Sequence, residues 1–272
     1  MSAAVLRVAA AQAESVAGDV GANVATAVSL VGAAADRGAR VVVLPELFLT
    51  GYAEQAWAQE QTVTPDDQRL APLVEAAAAC GVVVVVGAAV RRAAGTTVSL
   101  LVVDDVGAVR TAYDKQHLFA AERAFFTAGG HGASIVVDGW ELGLGVCYDG
   151  CFPEHAAAAA ADGAVAYLCP SAYFTGSEHR RDLYYAARAL DNGIYVVFAG
   201  LTGRCGDWEF NGGSAVYDPE GRVLDRAGTE APAVVVADLR RDAVQRVQEL
   251  NPIGRDRLPG LGRRTTEAVG SR

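Results

Sequence analysis

Residues 142–154 read LGLGVCYDGCFPE, an apolar run that ends in a cysteine, an aromatic, an acid and a glycine. A buried cysteine packs as a small hydrophobe. A cysteine at a strand exit, followed by backbone N–H groups, can instead be a nucleophile. Two other segments share the arrangement. VVVLPE (41–46) is a hydrophobic strand that ends at Glu46, and YDKQHLF (113–119) puts Lys115 after a hairpin. In open α/β sheets ligands sit off the carboxyl ends of strands, so these three side chains are expected to converge there. Their chemistry is complementary. A carboxylate takes the thiol proton and later activates water. A nearby cation stabilises the thiolate. That cation and the backbone N–H of Tyr148 can also hold an oxyanion. Such a triad needs no histidine, metal or cofactor.

The elements that must position these residues are visible as apolar runs. Strands are expected at 5–12, 40–46, 82–90, 98–104, 133–139, 142–149, 164–171, 193–201, 213–221 and 232–239. Runs apolar on both faces imply sheets covered on each side. Helical patterns lie at 23–39, 66–81, 152–163 and 180–193, and Gly81 and Gly163 stand where a C-cap glycine belongs. Strands alternating with helices give an α/β class. The pairs 82–90 with 98–104 and 133–139 with 142–149 have no helix between them, so they should be antiparallel and the sheets mixed. DPEG (218–221) reads as a hairpin-type turn. No composition break marks a linker, so the whole of 1–272 reads as one domain, with an irregular tail over 252–272.

Composition narrows the function. Of 272 residues 51% are hydrophobic, and the net charge is −9. That acidity argues against a nucleic-acid partner, since phosphate binding needs a basic surface. No run approaches a membrane span, and the N-terminal apolar run, broken by Gln12 and Glu14, does not read as a signal peptide. Five cysteines, an odd number, fit a reducing compartment, and the chain is expected to be cytoplasmic. The spacing of the four histidines suits no metal site. The P-loop, dinucleotide-binding, G-x-S-x-G and H-E-x-x-H motifs are absent.

Taken in order, VVLPELFLTGY, YDKQHLF with ERAFFTAGG, GVCYDGCFPE, RALDNGIYVVFAG and NGGSAVYDPEGRVL resemble the nitrilase (carbon–nitrogen hydrolase) superfamily. The resemblance spans about residues 5–258 and points to an amidase-like member. It implies a four-layer α-β-β-α sandwich. It also implies Glu46 as general base, Lys115 as oxyanion-stabilising cation, Cys147 as nucleophile and Glu122 as an acid orienting lysine and substrate. Members commonly pair through the helix after the cysteine, which here implies a homodimer or higher even-numbered oligomer, with the tail reaching across. The expected substrate is a small amide, ω-amide or N-carbamoyl compound. A nitrile is the alternative, and a non-catalytic binding protein on the same fold is the remote one. One departure is Gly200, where relatives often carry Asn near the edge of the site.

Other residues have weaker warrants. Tyr52, Tyr173, Phe174 and the Tyr148 ring could line the pocket or sit in the core. Arg180 and Arg181 could bind a substrate carboxylate, but a solvated helix start is the simpler reading. Cys151 and Cys169 read as structural. Asp149 and Glu154 read as residues that orient the turn and cap the next helix.

Overall fold

The computed structural model describes residues 4–258, 260, 262–267 and 269. Two six-stranded mixed sheets dominate the described residues. The first runs, in spatial order, β14 (Ala233–Arg240), β1 (Val5–Gln12), β2 (Val41–Val43), β3 (Val83–Arg92), β4 (Gly95–Val103), β5 (Val109–Asp114). The second runs β13 (Val223–Arg226), β12 (Ala215–Tyr217), β9 (Tyr195–Gly200), β8 (Ala166–Ser171), β7 (Trp140–Leu144), β6 (Ala133–Val137). In each, three central strands run parallel and the flanking strands antiparallel. The two hairpins expected without an intervening helix, β3–β4 and β6–β7, are both antiparallel. DPEG turns β12 into β13.

The sheets pack face to face, β1 and β2 against β8 and β9. Helices α1 (Val20–Asp36) and α3 (Ala71–Cys80) pack together on the outside of the first sheet. Helices α4 (Pro153–Ala161) and α5 (Glu178–Asn192) cover the second. This is the four-layer α-β-β-α sandwich. Strand β9 shows why its sequence is apolar throughout. Tyr195, Val197 and Ala199 join the core shared with the first sheet, while Val196 and Phe198 join a separate cluster with Tyr185 and Ala189 of α5. Alternate side chains on a strand face opposite ways, and here both faces are covered.

Several boundaries differ from expectation. β2 is only three residues long, and Pro45 and Glu46 lie beyond it. β7 ends at Leu144, so Cys147 opens a 3₁₀ turn (147–151) rather than extending a strand. Gly81 caps α3 and Gly193 caps α5, both left-handed; Arg37 and Asp162 cap α1 and α4, with Gly38 and Gly163 next in line. Polar patterning hid β5, β10 (Thr202–Cys205), β11 (Trp208–Asn211), β13, the short α2 (Glu54–Ala58) and amphipathic α6 (Arg241–Leu250). The tail expected to be irregular after Pro252 begins with one helical turn, α7 (Ile253–Asp256), packed on α4 and α5. Beyond Arg257 the described positions carry no helix or strand; Pro259 and several later positions lie outside the described residues. No described helix is long and apolar enough to cross a membrane.

Candidate active site

Glu46 is carried by the chain just past β2, which stays in register with β3 although it leaves the strand. Leu44 N–H donates to Val85 O, Gly87 N–H to Pro45 O, and Leu49 N–H to Gly87 O. Gly87 is what permits this approach. A Cβ there would lie 2.5 Å from Pro45 O and Leu47 N and 2.6 Å from Glu46 Cα. Lys115 follows β5 directly, on the same face as Tyr113. Its N–H donates to Val98 O and its carbonyl accepts from Gly129 N–H, so its backbone is held from both sides.

Cys147 has φ of +44°, a left-handed conformation that costs a non-glycine residue about 1–2 kcal/mol. The surroundings hold it there. Asp149 Oδ2 accepts from Val146 N–H at 3.0 Å, and Tyr185 Oη donates to Cys147 O at 3.1 Å. Strain held by neighbouring groups is a mark of functional positions.

The ammonium of Lys115 joins two carboxylates. Nζ donates to Glu46 Oε1 at 2.6 Å and to Glu122 Oε1 and Oε2 at 2.8 and 2.7 Å. All three side chains are buried. Glu122 is fully occupied, because Tyr52 Oη also donates to its Oε1 at 2.7 Å and Phe119 N–H to its Oε2 at 2.8 Å. Glu46 differs: its Oε2 is buried and has no hydrogen-bond partner among the described residues.

Burial pushes the Glu46 carboxyl up, Lys115 pulls it down, and the Glu122 charge pushes it up again, leaving it at about 7. Burial opposes the charge on Lys115, but Glu46 and Glu122 outweigh it and hold the ammonium above the ordinary lysine value. Burial, reinforced by Glu46, raises the Cys147 thiol, with Lys115 acting the other way. Cys147 therefore rests as a thiol, with a carboxylate beside it whose affinity for a proton is unusually high.

A cavity of about 200 Å³ opens over Cys147. Tyr52, Tyr148, Tyr173 and Phe174 all line it. The hairpin β10–β11 braces this wall, since Phe174 packs on Trp208 and Phe210 at ring separations of 4.7 and 5.3 Å. Arg180 lines the cavity too, whereas Arg181 is turned away to Asn211 Oδ1, Gly212 O and Asp182. Cys151 is in the cavity wall, its Sγ 3.4 Å from Tyr173 Oη, and buried Cys169 lies behind. Gly200 is not in the cavity lining; it lies where β9 passes Gly212, and a Cβ would come within 2.5 Å of Gly212 O. The departure at Gly200 thus answers to backbone packing rather than to pocket shape.

Sequence reasoning missed one constellation. Asp149 Oδ1 accepts from His117 N–H at 2.9 Å and pairs with His117 Nδ1 at 2.8 Å, while Oδ2 accepts from Tyr113 Oη at 2.8 Å. His155 is bonded through both ring nitrogens, to Tyr113 and Tyr167. Asp149 therefore ties the loop after Lys115 to the turn bearing Cys147. The ligand atoms of His117, Asp149 and His155 lie within 4.8 Å of one another. This proximity was invisible in the spacing of the histidines. The alternation of Tyr113 and Lys115 at the end of β5 and just beyond it was the one available signal.

Comparison with known proteins gives a consistent set. The carbon-nitrogen hydrolase family profile matches residues 7–249. A nitrilase of Pyrococcus abyssi is 31% identical, over 86% of this chain and 90% of that protein. A 2-oxoglutaramate amidase of Bacillus subtilis is 32% identical, over 79% and 83%. The solved structure of a cysteine mutant of the Nesterenkonia AN1 amidase, from the nitrilase superfamily, superposes with a TM-score of 0.79 at 31% identity, covering 89% of this chain and 94% of that one.

Proposed function

Because this chain belongs to the carbon–nitrogen hydrolase family, we propose that Glu46, Lys115 and Cys147 form the catalytic triad of an amidase that releases ammonia from a small amide. The observation that carries this reading is the buried Lys115 ammonium clamped between Glu46 and Glu122 beside a strained cysteine at the floor of a cavity. Cys147 Sγ attacks the amide carbon as its proton passes to Glu46, whose Oε2 is the oxygen left open for it. Lys115 and the Tyr148 N–H stabilise the tetrahedral oxyanion. The Tyr148 amide lies in the first turn of a helix, where N–H groups lack an intrahelical acceptor. Glu46 gives the proton to the departing nitrogen, the C–N bond breaks, and a thioester remains. Glu46 then takes a proton from water, the hydroxide attacks the thioester carbon, the C–S bond breaks as Glu46 returns that proton to Cys147 Sγ, and acid is released. Glu122 holds Lys115 in place and carries no proton in this scheme. Tyr52, Tyr173 and Phe174 shape the acyl pocket.

The relatives support amide over nitrile, since two of the three described above are named amidases. One structure of a glutamate-to-glutamine mutant of the Nesterenkonia amidase carries the acetamide moiety of fluoroacetamide added at its active-site cysteine. The test is ammonia release from a panel of amides, ω-amides, N-carbamoyl compounds and nitriles, beside Cys147→Ala. Turnover of an amide that the variant abolishes is the expected result. Turnover of nitriles alone would reverse the substrate class. Saturable binding of a panel amide with no turnover of any panel member would favour a binding protein.

The reading includes a cytoplasmic homodimer. All five cysteines are free, which suits a reducing compartment. On the outer layer Leu183 and Leu190 of α5 are exposed, beside an alanine-rich α4 that would allow close packing. Leu183→Glu should convert a dimer to a monomer in sedimentation analysis.

A further inference from the structure

We propose that Arg180 binds a carboxylate on the substrate, so that the amides hydrolysed are ω-amides of short dicarboxylic acids; this rests on the amidase reading. Of the residues lining the cavity over Cys147, Arg180 is the one that carries a positive charge, and none carries a carboxylate. The polar groups of the wall are largely engaged. Tyr52 Oη donates to Glu122, Tyr173 Oη meets Cys151 Sγ, and Ser177 Oγ donates to Phe174 O.

Arg180 is exposed at the mouth, and its guanidinium makes no hydrogen bond or ion pair among the described residues. Its neighbours on α5 behave differently. Arg181 is held by Asn211, Gly212 and Asp182, and Arg188 faces Asp191. The nearby Glu178 carboxylate is turned to the N–H of Gly176. A guanidinium presents a planar fork that matches a carboxylate with two parallel hydrogen bonds. At net charge −9 an anionic substrate is repelled by the molecule as a whole, so a local cation at the entrance is what admits it. The cavity is small, about 200 Å³, which keeps the spacer between amide and carboxylate short. A neutral amide meets a largely aromatic wall here and leaves the guanidinium unused.

The experiment compares the monoamides of succinic and glutaric acid with butyramide and valeramide, in wild type, Arg180→Ala and Arg180→Lys. Arg222→Ala, which removes an equal charge outside the cavity lining, is the control. In wild type kcat/KM should favour the acid amides. Arg180→Ala should cut that preference about tenfold, chiefly through KM, and Arg180→Lys should restore part of it. The preference should shrink as salt rises, because the pair is solvent-exposed. Equal use of acid and neutral amides, or a preference that survives Arg180→Ala, overturns the role of Arg180 while leaving the amidase reading intact. Absence of turnover on every amide overturns the amidase reading, and this inference with it.

Discussion

At the scale of single residues the site depends on where one proton resides. In the proposed scheme Glu46 must be ionised to accept the Cys147 proton, and its carboxyl is raised to about 7. Below that value it is protonated and cannot act as base. kcat/KM should therefore fall about tenfold per pH unit below pH 7, from a plateau above it. A profile flat down to pH 5 would show that another group is the base. Glu122 supplies part of the upward push on Glu46. Glu122→Gln removes that charge, so the acid limb should move to lower pH, even as the looser Lys115 lowers kcat. Glu46→Gln should lower kcat/KM by about 10²–10⁴, the usual contribution of a positioned base. A normal acylation burst in that variant would exclude Glu46 from the first half-reaction. Glu46 and Cys147 were legible in the sequence because each follows an apolar run, whereas Lys115, after the polar strand β5, stood out through the family resemblance. The hydrogen bonds of Asp149 to His117 and Tyr113 were not, since they join residues 32 or more positions apart.

At the scale of elements, the site depends on how strands end. The segment 45–47 lies directly on Gly87, and a methyl group there meets backbone atoms of all three of its residues. Backbone cannot swing aside as a side chain can. Gly87→Ala should lower stability by about 1–3 kcal/mol and displace Glu46, so kcat should fall with it. Thermal melts and kinetics on one preparation check both. The elbow at Cys147 offers a second case. Asp149→Asn keeps the shape but turns one acceptor oxygen into a donor, facing Val146 N–H or His117 N–H. The two loops should then loosen together, seen as slower thiol labelling and lower kcat with a near-normal CD spectrum. Strands such as β3 and β9 were legible because both faces are covered. The hairpin β10–β11, which braces Phe174, was not, since residues 202–211 carry turn formers and charges amid their apolar side chains. Helix α6 is amphipathic and buries only Val244 and Val247, too thin a stripe to stand out.

At the scale of the whole molecule, the proposed triad is assembled across a sandwich. Glu46 and Lys115 come from the ends of β2 and β5 in the first sheet, and Cys147 follows β7 in the second. Neither sheet alone holds a site. The order of strands let the mixed α/β class be read from sequence, but the pairing of two sheets face to face followed from the family resemblance, because hydrophobic runs do not say which face meets which. The structure resolves that through β9, where Val197 looks across to the first sheet and Phe198 looks out to α5. Val197→Ala opens a gap in the interface between the sheets and should cost about 2 kcal/mol. If both sheets share one cooperative core, the variant should lose amide hydrolysis and far-UV ellipticity at the same reduced temperature. Ellipticity persisting well above the loss of activity would mean that one sheet survives without the other, and that the triad is dismantled by separation of the layers rather than by unfolding.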